Sequence, residues 1–369
     1  MLLKEVCKIS ANNYQKKDNW SYFNYLDTGS LTKNNIEGFQ KFNSTKELPS
    51  RAKQKVEKDT ILYSSVRPNQ EHYGYIDKDY DNLLVSTGFI ILEPTQSKVN
   101  PKYLYYYITQ KRITDLLQGI AQNSTSSYPS ITKDDLLDLE IDLPPRPIQD
   151  KIVEILSNID SQIERNNTMV KTLQVLGNTI YSNNALNQKD TFNISNVATP
   201  IWGVCPSGEH ILDANTNNTI KYASGAGDID DNLISLNPKG YTDLPSKKVN
   251  KKDICISVAG TVGKIGIANE EIAIGRAMLG FSNKELYGYL YFGLSFYSET
   301  LKKKSTGAIQ KIINTSHIEV INLPKYTNQV ATQLNNIVDM ILNIETQTLQ
   351  LNQLKQTLLP LLINGQLVV

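Results

Sequence analysis

Residues 260–266 hold three glycines at every third position, and Lys264 lies between the last two of them. A glycine-rich loop of this kind can cradle phosphate, which is the chemistry of nucleotide-binding proteins. A P-loop, however, needs glycine five residues before Gly263 and serine or threonine after the lysine, whereas this chain has Val258 and Ile265 there. The spacing of a dinucleotide-binding loop is absent as well. We therefore predict a tight turn between two strands, with Lys264 available to contact a phosphate as a point charge.

Two acidic clusters could bind a divalent cation if the fold brought their carboxylates together. They are Asp77, Asp79 and Asp81, and Asp228, Asp230 and Asp231. Neither has the full pattern of a calcium loop, so we interpret both as solvated loops. The three cysteines and three histidines lack the short paired spacings of a metal site. Because no nucleophile, base and orienting group are recognisable, the sequence indicates neither catalytic residues nor a bound metal.

The residues best suited to nucleic acid are polar side chains in two equivalently placed loops, 122–128 and 305–311, and cations that are dense in the second half. Amides pair with adenine edges, whereas arginine and lysine bind guanine and phosphate. The DNA-binding candidates are Arg67, Gln122, Asn123, Ser124, Thr125, Ser126, Tyr128, Lys247, Lys248, Lys264, Arg276, Lys304, Gln310 and Lys311. An ordinary polar surface with solubilising lysines is the alternative, and composition alone leaves both interpretations open.

The composition is that of a globular protein with more than one domain. The chain has 369 residues, 40% hydrophobic and 20% charged, so each of two or three domains can bury its own core. The formal net charge of +1 decides nothing about nucleic acid, because local charge density governs that binding. No apolar run is long enough to span a membrane and the N-terminus has no signal-peptide core, so we expect a cytoplasmic protein without a membrane partner.

Runs of β-branched residues bounded by glycine, proline or asparagine predict strands at 60–66, 83–92, 253–258 and 264–268. Residues 103–117 and 286–304 are typical of helices. Local similarity pairs Ser65-Val66 with Ser257-Val258, and the aromatic run 103–106 with 289–292. We therefore expect an α+β fold with two similar globular domains.

Each globular region precedes a long segment with apolar residues at steps of three and four. A shift of 181 residues superimposes the two segments, which indicates an internal repeat. Such steps over about four heptads are typical of a coiled-coil seam. The predicted seam consists of Leu156, Ile159, Ile163, Asn166, Val170 and Leu173 in the first helix, and of Ile337, Met340, Ile344, Gln347, Leu351 and Leu354 in the second.

One polar residue interrupts each predicted seam, Asn166 in the first helix and Gln347 in the second. If the helices ran antiparallel, these two amides would meet, satisfy each other and penalise slipped registers. Two independent, solvated amides are the alternative. The predicted organisation is a domain at 1–146, a helix at 147–184, a second domain at 185–326 and a second helix at 327–369. The repeat gives this arrangement an approximate two-fold symmetry.

These features resemble the specificity subunits of type I restriction-modification enzymes over nearly the whole chain. Members of that family carry two variable target-recognition domains, each followed by a long helix that a Leu-Pro-Pro element and a nearby glutamine introduce. The corresponding residues are Leu143-Pro144-Pro145 with Gln149, and Leu323-Pro324 with Gln329. The chain departs from the family pattern at Lys325, which replaces the second proline, and it lacks the acidic pair often found before each glutamine.

The resemblance implies a subunit that binds double-stranded DNA and catalyses nothing itself. Each recognition domain would read one half of a split target, while the helices form an antiparallel spacer. Two methyltransferase subunits would bring S-adenosylmethionine, since this chain would hold no cofactor, and two restriction and translocase subunits would join them.

Two other functions stay open at this stage. The first is the recognition subunit of a type II enzyme with a split site, which the sequence does not separate from a type I subunit. The second is a coiled-coil scaffold whose globular domains bind protein instead of DNA. The scaffold predicts no salt-sensitive affinity for duplex DNA.

Overall fold

The computed structural model describes residues 1–123, 128–305, 312–318 and 321–367. The chain forms two compact units. Unit 1 comprises Met1–Asp160 together with Gln353–Val369, and unit 2 comprises Ser161–Asn352. Two long helices contribute residues to both units.

The strands up to residue 94 are β1 (Cys7–Ile9), β2 (Phe23–Leu26), β3 (Leu31–Thr32), β4 (Asn35–Ile36), β5 (Gln40–Phe42), β6 (Ala52–Lys55), β7 (Ile61–Ser64), β8 (Tyr73–Tyr75), β9 (Leu83–Ser86) and β10 (Phe89–Pro94). The later strands are β11 (Thr191–Asn193), β12 (Thr199–Trp202), β13 (Ile211–Leu212), β14 (Ile220–Ala223), β15 (Gly240–Thr242), β16 (Lys248–Val249), β17 (Ile254–Ser257), β18 (Ile265–Ile267), β19 (Ile272–Ile274), β20 (Met278–Ser282) and β21 (Asn322–Pro324). The helices are α1 (Pro101–Ile108), α2 (Lys111–Gln122), α3 (Lys133–Leu137), α4 (Arg146–Asn187), α5 (Tyr287–Lys304), α6 (Thr315–Ile318) and α7 (Asn328–Ile363).

Unit 1 is built on two four-stranded sheets, in the orders β1-β10-β7-β8 and β5-β2-β9-β6. Neighbouring strands are antiparallel except for β2 and β9, which are parallel. The strands β7 and β9 are buried along their whole length. Their runs Ile61-Leu62-Tyr63 and Leu83-Leu84-Val85 are continuously apolar, as expected of strands that are covered on both faces.

Two predicted elements of unit 1 are each divided in the structure. The expected strand at 83–92 is β9 followed by β10; they belong to different sheets, with a turn at Thr87 and Gly88 between them. The expected helix at 103–117 is α1 followed by α2. The first helix stops because the Thr109 hydroxyl bonds the Tyr105 carbonyl oxygen at 2.7 Å and the Gln110 backbone is extended.

Unit 2 repeats the first sheet of unit 1, in the order β12-β20-β17-β18. Its second sheet has five strands, β13-β15-β14-β19-β16, and again contains one parallel pair, β14 and β19. The Ser64 amide donates to the His72 carbonyl in unit 1, and the Ser257 amide donates to the Lys264 carbonyl in unit 2, both at 2.9 Å. The predicted internal repeat is therefore confirmed, but Ser257 corresponds to Ser64 and not, as sequence similarity indicates, to Ser65.

Gln149 joins the first turn of α4 to the globular part of unit 1. Its side-chain Nε2 donates to the Pro144 carbonyl oxygen at 2.8 Å, and its Oε1 accepts from the Asn100 amide at 2.8 Å. The side chain is buried, and buried amides need such partners. The glutamine that follows the Leu-Pro-Pro element therefore fixes the point at which the long helix leaves the sheet domain.

Within each unit the two long helices run antiparallel. In unit 1, Asp160 of α4 forms an ion pair with Lys355 of α7 at 2.5 Å. Leu156, which precedes Asp160, shares a hydrophobic core with Leu362, which follows Lys355. Contacts that advance along one helix and retreat along the other define an antiparallel pair.

In unit 2, the predicted polar interruption of α4 lies in the helix pair, but its partner differs from the predicted one. Asn166 is 7% exposed, and its Nδ2 donates to the Thr348 hydroxyl at 3.1 Å. Gln162, one turn earlier, donates to Asn166 Oδ1 at 3.0 Å. Gln347, the predicted partner, is exposed. The buried Asn166 amide thus has hydrogen-bond partners, as a buried polar group needs. Its partner on α7 is the Thr348 hydroxyl and not the predicted Gln347 amide.

The predicted seam residues of α4 are all buried or half-buried, whereas three of the six predicted for α7 are exposed. Along α4, Leu156, Ile159, Val170 and Leu173 are buried and Ile163 is half-buried. Along α7, Ile337 is buried and Ile344 and Leu351 are half-buried, but Met340, Gln347 and Leu354 are exposed. The inward positions include Val338, Ile341, Glu345 and Thr348. The adjacent apolar residues at 337–338 and 340–342 fit two frames, and tertiary packing selects between them.

Each unit has its own hydrophobic core, in which large aromatic side chains are prominent. Tyr103 and Tyr106 are buried in unit 1, and Tyr289 and Phe292 in unit 2. The α+β fold class expected from the sequence is confirmed. In the part of the chain that the structure describes, no helix is both long enough and apolar enough to cross a membrane.

Candidate nucleic-acid interface

Two of the DNA-binding candidates in unit 1, Arg67 and Tyr128, lie side by side. Arg67 belongs to the turn of residues 65–71, which we call the Arg67 turn. The Arg67 guanidinium carbon lies 5.3 Å from the centre of the Tyr128 ring. Both residues are exposed, and Tyr128 keeps 60% of its surface in contact with solvent. This cation–π contact uses the face of the tyrosine ring and does not use the N–H donors of the guanidinium, which can still form hydrogen bonds.

Backbone hydrogen bonds fix the Arg67 turn from two sides. The Arg67 amide donates to the Pro129 carbonyl oxygen at 2.8 Å, which ties the turn to the segment that follows Tyr128. The Asn69 amide donates to Gln118 Oε1 at 3.1 Å, which ties the turn to α2. The turn is therefore a rigid platform on the surface of unit 1.

The predicted base-reading loop 122–128 begins and ends beside this platform. Gln122 is the last residue of α2, and the exposed Asn123 follows it. At the other end of the loop, the Tyr128 ring contacts the Arg67 guanidinium. The candidates Ser124, Thr125 and Ser126 lie outside the described residues.

A groove next to the Arg67 turn carries two lysines that the sequence patterns do not single out. Its volume is about 390 Å³, and Ser65 and Ile131 form part of its lining. Lys53 and Lys133 also line it, and both are exposed. Neither lysine has an ion-pair partner among the described residues, so their charges remain available for phosphate. The two residues are 80 positions apart in the chain, and only the fold brings them together.

The corresponding turn of unit 2, residues 258–264, is called here the Gly260 turn. It joins the antiparallel strands β17 and β18, which confirms the predicted tight turn. The Ile313 amide donates to the Val258 carbonyl at 2.8 Å, just as the Ile131 amide donates to the Ser65 carbonyl at 2.8 Å in unit 1. A turn at the same place, bonded in the same way to the segment that follows it, thus occurs in each unit, although the turn of unit 1 is one residue longer.

Two of the cations expected to face DNA in unit 2 have partners within the chain. Lys264 Nζ lies 2.8 Å from an Asp231 carboxylate oxygen, so the expectation of a lysine free to contact phosphate is corrected. Lys248 is paired with Glu271 at 2.8 Å. Both acidic partners are close in space but not adjacent in sequence, and for that reason the charge pattern does not reveal them.

Two other cations of unit 2, Lys247 and Arg276, are exposed and have no ion-pair partner in the described part of the chain. They are the cations of this set that remain available to phosphate. Gln310 and Lys311 lie outside the described residues. Lys304 ends α5, but its side chain is likewise not described.

Asp228 is buried, contrary to the prediction of a solvated acidic loop. Its Oδ2 accepts from the Ser224 amide at 2.7 Å, the Ser224 hydroxyl at 3.0 Å and the Gly225 amide at 3.2 Å. The carboxylate therefore holds a turn of the backbone together. Among the described residues, no group of three or more histidine, cysteine, aspartate or glutamate side chains is arranged to hold a metal ion.

Comparisons with known proteins agree with the repeated architecture. The family described as "Type I restriction modification DNA specificity domain" matches residues 1–175. The HindI specificity subunit of Haemophilus influenzae is 31% identical over 175 residues, which are 47% of this chain and 38% of that protein. The putative MjaX specificity subunit of Methanocaldococcus jannaschii is 25% identical over 399 aligned positions, which cover 100% of this chain and 93% of that protein. The first half of the chain therefore matches the family of type I specificity subunits.

The fold of this chain is shared with a solved structure. The type I restriction-modification S subunit from M. genitalium superimposes with a TM-score of 0.62 at 16% identity, over 98% of this chain and 95% of that one. At this identity the superposition establishes the fold alone. In the HindI comparison, the matched segment spans less than half of the relative's length. The common fold therefore extends beyond the N-terminal segment that the family description matches.

Proposed function

We propose that this chain is a type I specificity subunit that binds double-stranded DNA and reads a split target, with one recognition domain for each half. The observation that carries the proposal is the repeated turn: the Arg67 turn and the Gly260 turn follow corresponding strands in the two units, and each is bonded to the segment after it by an equivalent backbone bond. Two copies of one reading surface in one chain are suited to two half-sites.

Exposed cations in both units support contact with DNA. In unit 1, Arg67, Lys53 and Lys133 are exposed cations. In unit 2, Lys247 and Arg276 are exposed and unpaired within the described residues. When such cations bind phosphate, they displace counterions that are condensed on the DNA. This release supplies much of the affinity of DNA-binding proteins.

The long helices support the recruitment of partner subunits. Apolar side chains are exposed on both: Met169 (50%) and Val175 (65%) in α4, and Met340 (49%) and Leu349 (58%) in α7. Contiguous exposed apolar patches mark binding sites for other proteins, and we propose that these side chains belong to such patches. We propose that two methyltransferase subunits, which carry S-adenosylmethionine and flip the target adenine, dock on these helices. Two restriction and translocase subunits would join the complex, and this chain would contribute neither cofactor nor catalytic residue.

The test is to co-express the chain with the methyltransferase subunit of the same system and to map adenine methylation in the host DNA by long-read sequencing. We expect a split motif, methylated on both strands, that is absent when the methyltransferase is expressed alone. A stable complex that methylates no motif would contradict the proposal and favour a protein-binding scaffold.

A further inference from the structure

Arg67 adopts a backbone conformation that disfavours its own side chain. Its φ is 48° and its ψ is 69°, in the left-handed region. Residues with a Cβ avoid this region, and the following residue is Pro68, whose ring further restricts the residue before it. A non-glycine residue in such a position is retained when the surroundings hold it there, often at a functional site.

The repeat shows which residue the turn itself favours. Since Ser64 corresponds to Ser257, Arg67 corresponds to Gly260 of unit 2. Gly260 has a φ of 73°, so the left-handed conformation belongs to the turn in both units. Glycine meets that requirement without steric cost. The left-handed backbone of the turn therefore explains Gly260, but it does not explain why an arginine occupies the equivalent position in unit 1.

The Arg67 side chain is held ready to bind a ligand. Its backbone amide is bonded to Pro129, its carbonyl accepts from the Gln70 amide at 2.8 Å, and its guanidinium contacts the Tyr128 ring. No carboxylate pairs with it among the described residues. Because the backbone is fixed on both sides and the guanidinium is held against a ring, little freedom is lost when its N–H donors bind.

We propose that Arg67 reads a guanine in the half-site bound by unit 1. The inference rests on the proposed function, since it assigns one base contact to that DNA interface. A guanidinium edge donates two parallel hydrogen bonds to guanine O6 and N7 in the major groove. The Gly260 turn carries no side chain at this position, so the half-site bound by unit 2 lacks the equivalent contact. The two half-sites therefore differ at this place.

The experiment uses the subunit in its methyltransferase complex and compares wild type with Arg67→Gly and Arg67→Lys. Methylation motifs are mapped, and binding to duplexes with single base changes is measured by competition. We expect Arg67→Gly to lose discrimination for guanine by about 5- to 150-fold at one position of one half-site, with the other half-site unchanged. Its melting temperature should not fall, because glycine relieves the strained backbone. Arg67→Lys should lose part of the discrimination at that position, because a flexible ammonium replaces a planar edge with two fixed donors.

Arg51→Ala is the matched control, because it removes the same charge from an exposed residue outside the Arg67 turn. It should leave the motif unchanged. An unaltered motif in both Arg67 variants would overturn the inference, as would uniform loss of affinity in Arg67→Gly that lysine restores, since that pattern identifies a phosphate contact. If wild type itself shows no motif, the proposed function fails; if wild type shows one that Arg67→Gly preserves, only the guanine contact is refuted.

Discussion

Both units fasten a globular domain to the long helices through carboxylates. Unit 2 has a tyrosine–aspartate–lysine contact like that of unit 1, in which Asp339 of α7 accepts from Tyr287 and Lys252, and it also has a carboxylate with partners of another kind. In unit 1, Asp160 of α4 accepts from the Tyr106 hydroxyl at 2.7 Å and from Lys355 Nζ at 2.5 Å. In unit 2, Glu345 of α7 accepts from two backbone amides, Ile234 at 2.6 Å and Ser235 at 3.1 Å. The helix pair and the side-chain contact are repeated, whereas the Glu345 contact is made with the backbone.

This difference separates the parts of the molecule that repeat from the parts that diverge. A side-chain triad such as Tyr106, Asp160 and Lys355 depends on the identity of three residues. A carboxylate that binds backbone amides depends on the path of a loop, because any residue can supply the amide. Substitutions around Ile234 in unit 2 should therefore be tolerated better than substitutions of the three triad residues in unit 1.

The largest expected effect is the loss of the Glu345 carboxylate. We expect Glu345→Ala to lower the free energy of unfolding by about 3 kcal/mol, because it leaves two buried amides without acceptors. Asp160→Ala should cost less, about 1 to 2 kcal/mol, because the partly exposed Lys355 can turn to water. Urea unfolding of both variants measures the difference. A larger loss for Asp160→Ala would contradict the account of the two contacts.

Glu345 also predicts how stability depends on pH. Burial raises the pKa of its carboxyl above the ordinary value of 4.5, although the hydrogen bonds from Ser235 and Ile234 oppose the shift. The folded state therefore retains a proton that the unfolded state has already lost, so this group lowers stability as pH rises from about 4.5 through the raised pKa. Glu345→Gln should flatten that decline. An unchanged slope would show that Glu345 does not titrate with a raised pKa.

Two helix glycines, Gly177 in unit 2 and Gly119 in unit 1, have opposite surroundings. A Cβ added at Gly177 of α4 would lie 2.0 Å from Phe292 Cζ, whereas one added at Gly119 of α2 meets nothing within 4 Å. We expect Gly177→Ala to destabilise the protein by about 1 to 3 kcal/mol and Gly119→Ala to stabilise it by up to about 1 kcal/mol. Thermal unfolding of both variants shows whether each substitution raises or lowers the melting temperature. Stabilisation by Gly177→Ala would mean that α5 does not pack on the α4 backbone.

The smallest expected effect concerns the polar residue of the α4 seam. A double-mutant cycle between Asn166 and Thr348 should give a coupling of about 1 kcal/mol, as for one buried hydrogen bond. The matched cycle between Asn166 and the exposed Gln347 should give a coupling near zero. Coupling between Asn166 and Gln347, with none between Asn166 and Thr348, would instead support the amide pair that the sequence predicts.

The sequence predicts the α4 seam well and the α7 seam less well, for a physical reason. Polar residues separate the apolar positions of α4, so a single frame fits them. In α7, Ile337 and Val338 are adjacent, as are Met340 and Ile341, so two frames fit and only packing against the domain selects one. The ion pair between Lys264 and Asp231 and the correspondence of Arg67 to Gly260 also depend on the folded backbone, which local patterns do not encode.

The central claim is that one chain contains two separate recognition domains, each of which binds one half of a split DNA target. Its most direct test replaces residues 1–146 with the corresponding segment of another specificity subunit and maps the methylated motif again. We expect one half of the motif to change to that of the donor while the other half stays the same. A motif in which both halves change, or neither does, would contradict the claim.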